Sequence, residues 1–408
     1  MRTAAYIIIV MVVAAVLAAS VRSCVARKKE FARYPTVEGL QGIHGDIRVL
    51  LADGVSCKVS VSGRYKIIAD GRAAFDGLRP MPDVLVRPLA AGGIAIGDLN
   101  VKQERAEVVP AAGDTLRVNG SAYRGKLMLA RRKDRRGAPR LLAVNVLPLE
   151  EYLAGVISSE MHSFWPMAAL RAQAIAARSY ALCRARSRSR WNYDVAATTA
   201  DQVYKGIAGE TASARRAAGQ TRGVILLYDW QILPAYYHSV CGGRTASRKA
   251  VFGETDITPL AGVDCKYCNP KLHGGKNSGF YHWQVVVPHA KVVRALAAKG
   301  HSAAGIKAIE PVDPDRGHHA REMTLTPLSG PPFKLSIAEL RRVIGPGKLK
   351  SNCFECRKKG NTLVFRGKGF GHGVGMCQWG AKGMAISGYD TKAILEYYYP
   401  GTEIRRVY

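Results

Sequence analysis

From about Ile47 to Val146 apolar residues come in short runs, many of them alternating with polar ones, the pattern of strands with one face in a core. Ile47-Arg-Val-Leu-Leu, Cys57-Lys-Val-Ser-Val, Tyr65-Lys-Ile-Ile and Leu127-Met-Leu-Ala are the clearest. Turns at Ala91-Gly-Gly and Asn119-Gly separate them. The charged stretch from Arg131 to Arg140, with its Gly and Pro, reads as an exposed hairpin loop, and Leu141-Leu-Ala-Val-Asn-Val-Leu as a buried strand. No repeat of fixed period runs through the chain.

At Pro148 the period changes. Leu149, Tyr152, Leu153, Val156 and Ile157 recur at helical spacing, which predicts a short helix ending near Ser159. Pro166 suits the first turn of a second helix, whose body from Met167 to about Arg186 is rich in Ala, Arg and Leu. Leu170, Ala174, Ala177 and Ala181 line one face of it with mostly small residues. Short strands (Val224 to Tyr228, Tyr281 to Val287, Leu363 to Arg366) then mix with short helices (Val292 to Lys299, Thr391 to Tyr398). The expectation is an α+β fold, with a mixed α/β enzyme-like core over residues 147–408 behind a β-rich N-terminal portion over residues 35–146.

The first 34 residues stand apart. An uncharged apolar run from Ala4 to Ala19 follows Met1-Arg2, as in an export signal or a membrane anchor of marginal length. The expected location is outside the cytoplasmic membrane, periplasmic or extracellular, with residues 4–20 as an anchor if they are retained. Arg22, Arg27, Lys28, Lys29 and Arg33 outnumber the cations before the run, against the positive-inside rule for an N-in anchor, so topology stays open. Cys24 lacks the small apolar residues that a lipoprotein signal needs before it. Sixty Lys plus Arg against 31 Asp plus Glu give a net charge of +29, which favours polyanionic partners. Export turns that preference away from nucleic acid and toward anionic lipid or an acidic wall polymer.

Three constellations carry chemistry. In Ser158-Ser-Glu-Met-His-Ser-Phe-Trp-Pro166 a carboxylate, Glu160, sits in the linker between the two helices beside Phe164 and Trp165. Desolvation by the aromatics and the negative end of the preceding helix both raise a carboxyl pKa, the condition for a general acid. A solvated loop glutamate is the simpler reading on physics alone. Second, His238-Ser-Val-Cys241 and Cys265-Lys-Tyr-Cys268 supply four ligands for a closed, structural zinc site; a Cys265–Cys268 disulfide and unliganded core residues are the alternatives. Cys353-Phe-Glu-Cys356 lies in an extended segment whose geometry argues against shared chelation and a mutual disulfide. Third, Gly367-Lys-Gly-Phe-Gly-His372-Gly-Val-Gly-Met-Cys-Gln378 is too poor a phosphate loop, with no Lys-Ser/Thr pair to close it. Its glycines would let a ligand approach closely, with His372 and Gln378 facing a cleft; a tight turn around a buried histidine is the other reading.

Together these segments resemble the SpoIID/LytB family, that of stage II sporulation protein D and the amidase enhancer. The resemblance rests on Val144-Asn-Val-Leu-Pro-Leu-Glu-Glu-Tyr-Leu-Ala-Gly-Val, Ser159-Glu-Met, Trp165-Pro, Ala169-Leu-Arg-Ala-Gln-Ala-Ile-Ala-Ala-Arg-Ser-Tyr180, Tyr237-His-Ser-Val-Cys-Gly-Gly and Gly371-His-Gly-Val-Gly-Met-Cys-Gln-Trp-Gly-Ala. It implies a lytic transglycosylase that cuts peptidoglycan glycan strands stripped of stem peptides, with Glu160 as the single acid/base and 1,6-anhydro ends as product. Arg171, Gln173, Arg178, Tyr180, His372, Gln378 and Tyr397 are then expected to bind substrate or orient Glu160. The zinc site at His238, Cys241, Cys265 and Cys268 gains support, and no catalytic cofactor is expected. The rival implication is a non-catalytic wall-binding protein that stimulates a partner amidase or other hydrolase. Two residues depart from the family pattern: His162 stands where Pro is usual, and Cys377 where Ser is common.

Overall fold

The computed structural model describes residues 45–301, 304–345 and 347–408. The export or anchor reading of residues 4–20, and Cys24 with it, lies outside the described residues. Among those described, no helix is long and apolar enough to cross a membrane.

The fold is α+β, as the alternation of periods implies. Asp46–Gly54 pairs antiparallel with Pro139–Pro148 at the centre of a seven-stranded sheet, in a register that sets Ile47 opposite Leu147. A second sheet of six strands holds Cys57–Val61 and Met81–Pro88 at its centre. Every inward residue of Cys57–Val61 is buried and its outward Lys58 exposed, so the period-two pattern reports a real one-sided core. The charged stretch near Arg131 is shorter as a loop than expected. Lys126–Lys133 and Pro139–Pro148 pair as far as Lys133 and Pro139, because Arg131 and Arg132 point sideways to Glu104 and Asp53 and leave the ladder intact.

Two helices follow directly on the last of these strands. Helix α1 (Leu149–Glu160) has Pro148 at its N-cap and Glu150 and Glu151 in its first turn, where the dipole favours anions. Leu149, Tyr152, Leu153, Val156 and Ile157 are buried, each worth roughly 1.5–3 kcal/mol of transfer free energy. Helix α2 (Met167–Ser187) begins one residue after Pro166, which serves as the N-cap and not within the first turn. Its Leu170, Ala174, Ala177 and Ala181 are fully buried, and the small side chains let neighbours pack close to the backbone. One continuous core joins both N-terminal sheets to these helices, Val49, Leu127 and Val108 packing with Tyr152, Leu170 and Ile175.

Further along, Tyr237–His238 forms a two-stranded parallel bridge with Met376–Cys377. Between those partners the chain leaves to build a separate core from residues such as Trp283, Val292, Leu340, Phe354 and Phe365. Two three-stranded sheets frame this inserted core, one of them holding Cys353–Lys359. Cys353 is buried and Cys356 half-buried there, and both are free thiols.

Candidate active site

Glu160 is the last residue of α1, where the sequence reading had it in the loop, and Met161 beyond it is already extended. The carboxylate therefore lies at the negative end of the helix, half-buried. Its Oε1 accepts a 2.7 Å hydrogen bond from the Val203 backbone N–H, and its Oε2 a 3.3 Å bond from Gln378 Nε2. Burial pushes the Glu160 pKa up, the two donors pull it down, and burial wins. Both partners are neutral, so nothing in this set locks the group as an anion.

The Val203 donor is itself held in place. Gln202 is fully buried, accepting from Tyr152 Oη at 3.0 Å and donating to Tyr237 Oη at 2.8 Å. Burial first, then the nearby charge of Glu160, raises the Tyr237 phenol well above its usual range, so Tyr237 flanks the carboxylate as a neutral hydroxyl. Asp201 accepts from Tyr180 Oη (2.8 Å), Arg184 Nε (3.2 Å), Arg188 Nη1 (2.7 Å) and the Ala196 N–H (2.9 Å). Asp201, Gln202, Val203 and Tyr237 were missed in the sequence as site residues. The first three are signalled only by an Asp-Gln pair that no periodicity distinguishes, while Tyr237 opens a quoted family motif but was given no role.

Of the residues expected at the site, Gln378 touches Glu160 directly and Tyr180 supports it through Asp201. The others stand elsewhere. Arg178 is fully buried and holds Glu150 through Nε (2.8 Å) and Nη2 (2.7 Å), with further bonds to the Val224 and Ala218 carbonyls. Burial raises the Glu150 pKa, but Arg178 and the Tyr408 hydroxyl outweigh it and hold the carboxyl below its usual range. Arg171 donates to Gln220 at 2.8 Å, so neither arginine forms a solvated face. Gln173 is fully buried in α2. Tyr397 donates to the Asp264 carbonyl at 2.5 Å and packs on Tyr267, beside the cysteines. His372 accepts from the Val374 N–H at 3.0 Å, and its ring lies against Tyr236, Phe252 and His238. Burial pushes its pKa down to about 4, so it is a neutral brace of the glycine-rich turn.

Those glycines bring the loop against its own chain, where the sequence suggested a ligand. A Cβ at Gly375 (φ +71°) would stand 2.0 Å from the Tyr236 carbonyl oxygen, and one at Gly369 (φ +82°) 2.6 Å from that of Val240. Only glycine permits both the backbone conformation and the approach. The aromatics beside Glu160 divide: Trp165 is buried against Trp379 at 5.0 Å, while Phe164 is 77% exposed and stacks on His162. Phe164 is thus left largely facing solvent, while Trp165 joins the core.

The parallel bridge also assembles a cysteine cluster. Cys241, Cys265, Cys268 and Cys377 are all buried, with their sulfurs within 4.8 Å of one another, an arrangement that can hold a metal ion. Three of the four were expected; the fourth corner goes to Cys377, and not to His238. His238 instead pairs through Nδ1 with the Val374 carbonyl at 3.1 Å, and burial pushes its pKa down to about 3.

A family model for the stage II sporulation protein matches residues 138–228, the stretch from the last N-terminal strand through α1, Glu160, α2 and Asp201 to Tyr228. The chain is 34% identical over 313 residues to an uncharacterised protein of Brachyspira hyodysenteriae, covering 76% of this chain and 79% of that one. It is 31% identical to stage II sporulation protein D of Bacillus subtilis over 64% of this chain and 76% of the relative. To the amidase enhancer of Bacillus subtilis it is 29% identical over 62% of this chain, but only 40% of the longer relative is spanned. With Glu160 and its supporting segment inside the matched region, the chain belongs to the SpoIID family of stage II sporulation protein D and the amidase enhancer.

Proposed function

We propose that the protein is an exported peptidoglycan lytic transglycosylase in which Glu160 is both acid and base. The observation that carries this is the state of that carboxylate: half-buried, raised in pKa, and held by two neutral donors. A protonated Glu160 gives its proton to the oxygen linking N-acetylmuramic acid to N-acetylglucosamine as that bond breaks. The muramic C6 hydroxyl then bonds to C1 and returns its proton to Glu160, closing a 1,6-anhydro ring. One carboxyl group suffices, since no water has to be activated by a second. Val203 N–H and Gln378 steady the carboxylate after it has given up its proton. The exposed Phe164 ring offers an apolar platform beside the acid for a sugar face. The charge of +29 suits retention on an acidic wall.

The test is digestion of purified glycan strands, with and without stem peptides, followed by mass analysis. Anhydro-ended fragments from peptide-free strands are expected; reducing ends would mean hydrolysis and a different mechanism. A second reading, a wall-bound enhancer of a partner amidase, draws on the relative that bears that name. It is favoured if no strand is cut while an added amidase is stimulated.

A further inference from the structure

We infer that Lys382, with Lys276 nearby, reads the lactyl carboxylate of a muramic acid from which the stem peptide has been removed. The inference rests on the reading of a glycan strand as substrate. It adds the residue that tells a bare strand from a peptide-bearing one.

The placement of Lys382 follows from the helix whose first residue bonds the acid. In Gln378–Ile386, Gly380 and Gly383 lie on the side opposite Gln378 and Lys382. That side is pressed on the core: a Cβ at Gly383 would stand 2.1 Å from the Tyr267 carbonyl oxygen, and one at Gly380 2.8 Å from Cys265 Sγ. These contacts fix the rotation of the helix, so Gln378 and Lys382 share its other face, about 6 Å apart. Gln378 uses that face to bond Glu160 at 3.3 Å. One turn further on, Lys382 Nζ lies 4.5 Å from the Trp379 ring centroid and 5.2 Å from that of Trp165. Trp165 belongs to the segment that follows Glu160, so the ammonium rests on both elements that carry the acid and its donor.

The charge at this position is unbalanced. Lys382 is half-buried, and among the described residues no carboxylate pairs with it. Burial first, then the positive charge of the exposed Lys276, pushes its pKa below the usual lysine range. A half-buried ammonium facing a like charge costs free energy that the indole faces offset only in part. A carboxylate brought to the two lysines supplies what is missing, and such uncompensated charge beside a reactive group is a mark of a binding site. The lactyl group of a muramic acid ends in a free carboxylate once the stem peptide is gone. While the peptide is attached, the same carbon is an uncharged amide. Lys382 therefore gives the bare strand a charge-assisted hydrogen bond that the peptide-bearing strand cannot make. A phosphate of an acidic wall polymer carries the same sign of charge, but nothing fixes it beside the bond that Glu160 breaks.

The test is binding by the full chain carrying Glu160→Gln, so that strands stay intact. Its ligands are peptide-free glycan and the same glycan with its lactyl carboxyls converted to methyl amides. The charged strand is expected to bind about tenfold more tightly, the size of one charge-assisted hydrogen bond. Lys382→Met should bring that ratio close to one, while Lys382→Arg and the exposed Lys58→Met in the N-terminal sheet should leave it unchanged. An unchanged ratio in a folded Lys382→Met protein would trace the preference to the overall charge of +29 and overturn the assignment. If that variant kept the ratio but lost affinity for poly(glycerol phosphate), the anion would be a wall-polymer phosphate and the inference would fall. Equal weakening on both strands with a lower melting temperature would make Lys382 a prop for the tryptophans, and would overturn it too. Because binding is the readout, preference without cleavage by the parent would keep this inference and remove the transglycosylase reading. Cleavage without preference would do the reverse.

Discussion

At the scale of single residues, the account turns on how far Glu160 is pushed up and by what. Burial raises it; the bonds from Val203 and Gln378 lower it. An acid must be protonated to act, so cleavage should fall as pH rises through the raised pKa of this group. Removing one of the two lowering donors must raise that pKa further. Gln378→Leu is therefore expected to move the descending limb of the pH–rate profile to higher pH, alongside a stability loss of about 1 kcal/mol for the lost bond. An unmoved limb in a folded variant would show that Gln378 does not act on the acid. The Val203 donor admits no such test by side-chain exchange, since it is a backbone group held by Gln202 and Asp201.

At the scale of elements, α1 and α2 are joined by an ion pair that helical periodicity could not disclose. Arg178 and Glu150 lie 28 residues apart on different helices, and the 3.6-residue pattern says only that each helix has a buried face. Because the guanidinium is wholly enclosed, removing it leaves a largely buried carboxylate without its charged partner, held only by the Tyr408 hydroxyl and the Gly223 N–H. Arg178→Ala should cost about 3–5 kcal/mol of unfolding free energy, read from denaturant midpoints, with the pH profile of the remaining folded enzyme unchanged. A loss below about 1 kcal/mol would mean that water replaces the arginine.

The same contrast explains what the sequence disclosed and what it hid. Glu160 was read in the linker and is instead the last residue of the first helix, whereas both helices and most strands were legible, because local periodicity reports local structure. The parallel bridge of Tyr237–His238 with Met376–Cys377 was not, since its partners are separated by the inserted core. That bridge is what carries Gln378 to Glu160 and puts Cys377, 136 residues from Cys241, where His238 was expected. Arg178 fits the family motif and Tyr397 was expected beside it, but they bind Glu150 and Asp264, contacts that only the folded chain reveals.

At the scale of the whole molecule, one continuous core runs beneath the N-terminal sheets and the two helices, and the inserted core stands beside it. Glu160 therefore sits on the larger body, at the end of a helix packed on that core. A neutral amide of the same shape should be tolerated there: it removes the cost of a half-buried charge, keeps one acceptor for the Val203 N–H, and meets Gln378 once that side-chain amide turns its own oxygen toward it. The most direct measurement is thus release of anhydro-ended fragments from peptide-free glycan by the intact protein and by Glu160→Gln, with thermal unfolding of both recorded at neutral pH. The account predicts cleavage by the first, none above background by the second, and a melting temperature in the variant no lower than in the parent. Cleavage that survives in a folded Glu160→Gln protein would contradict it.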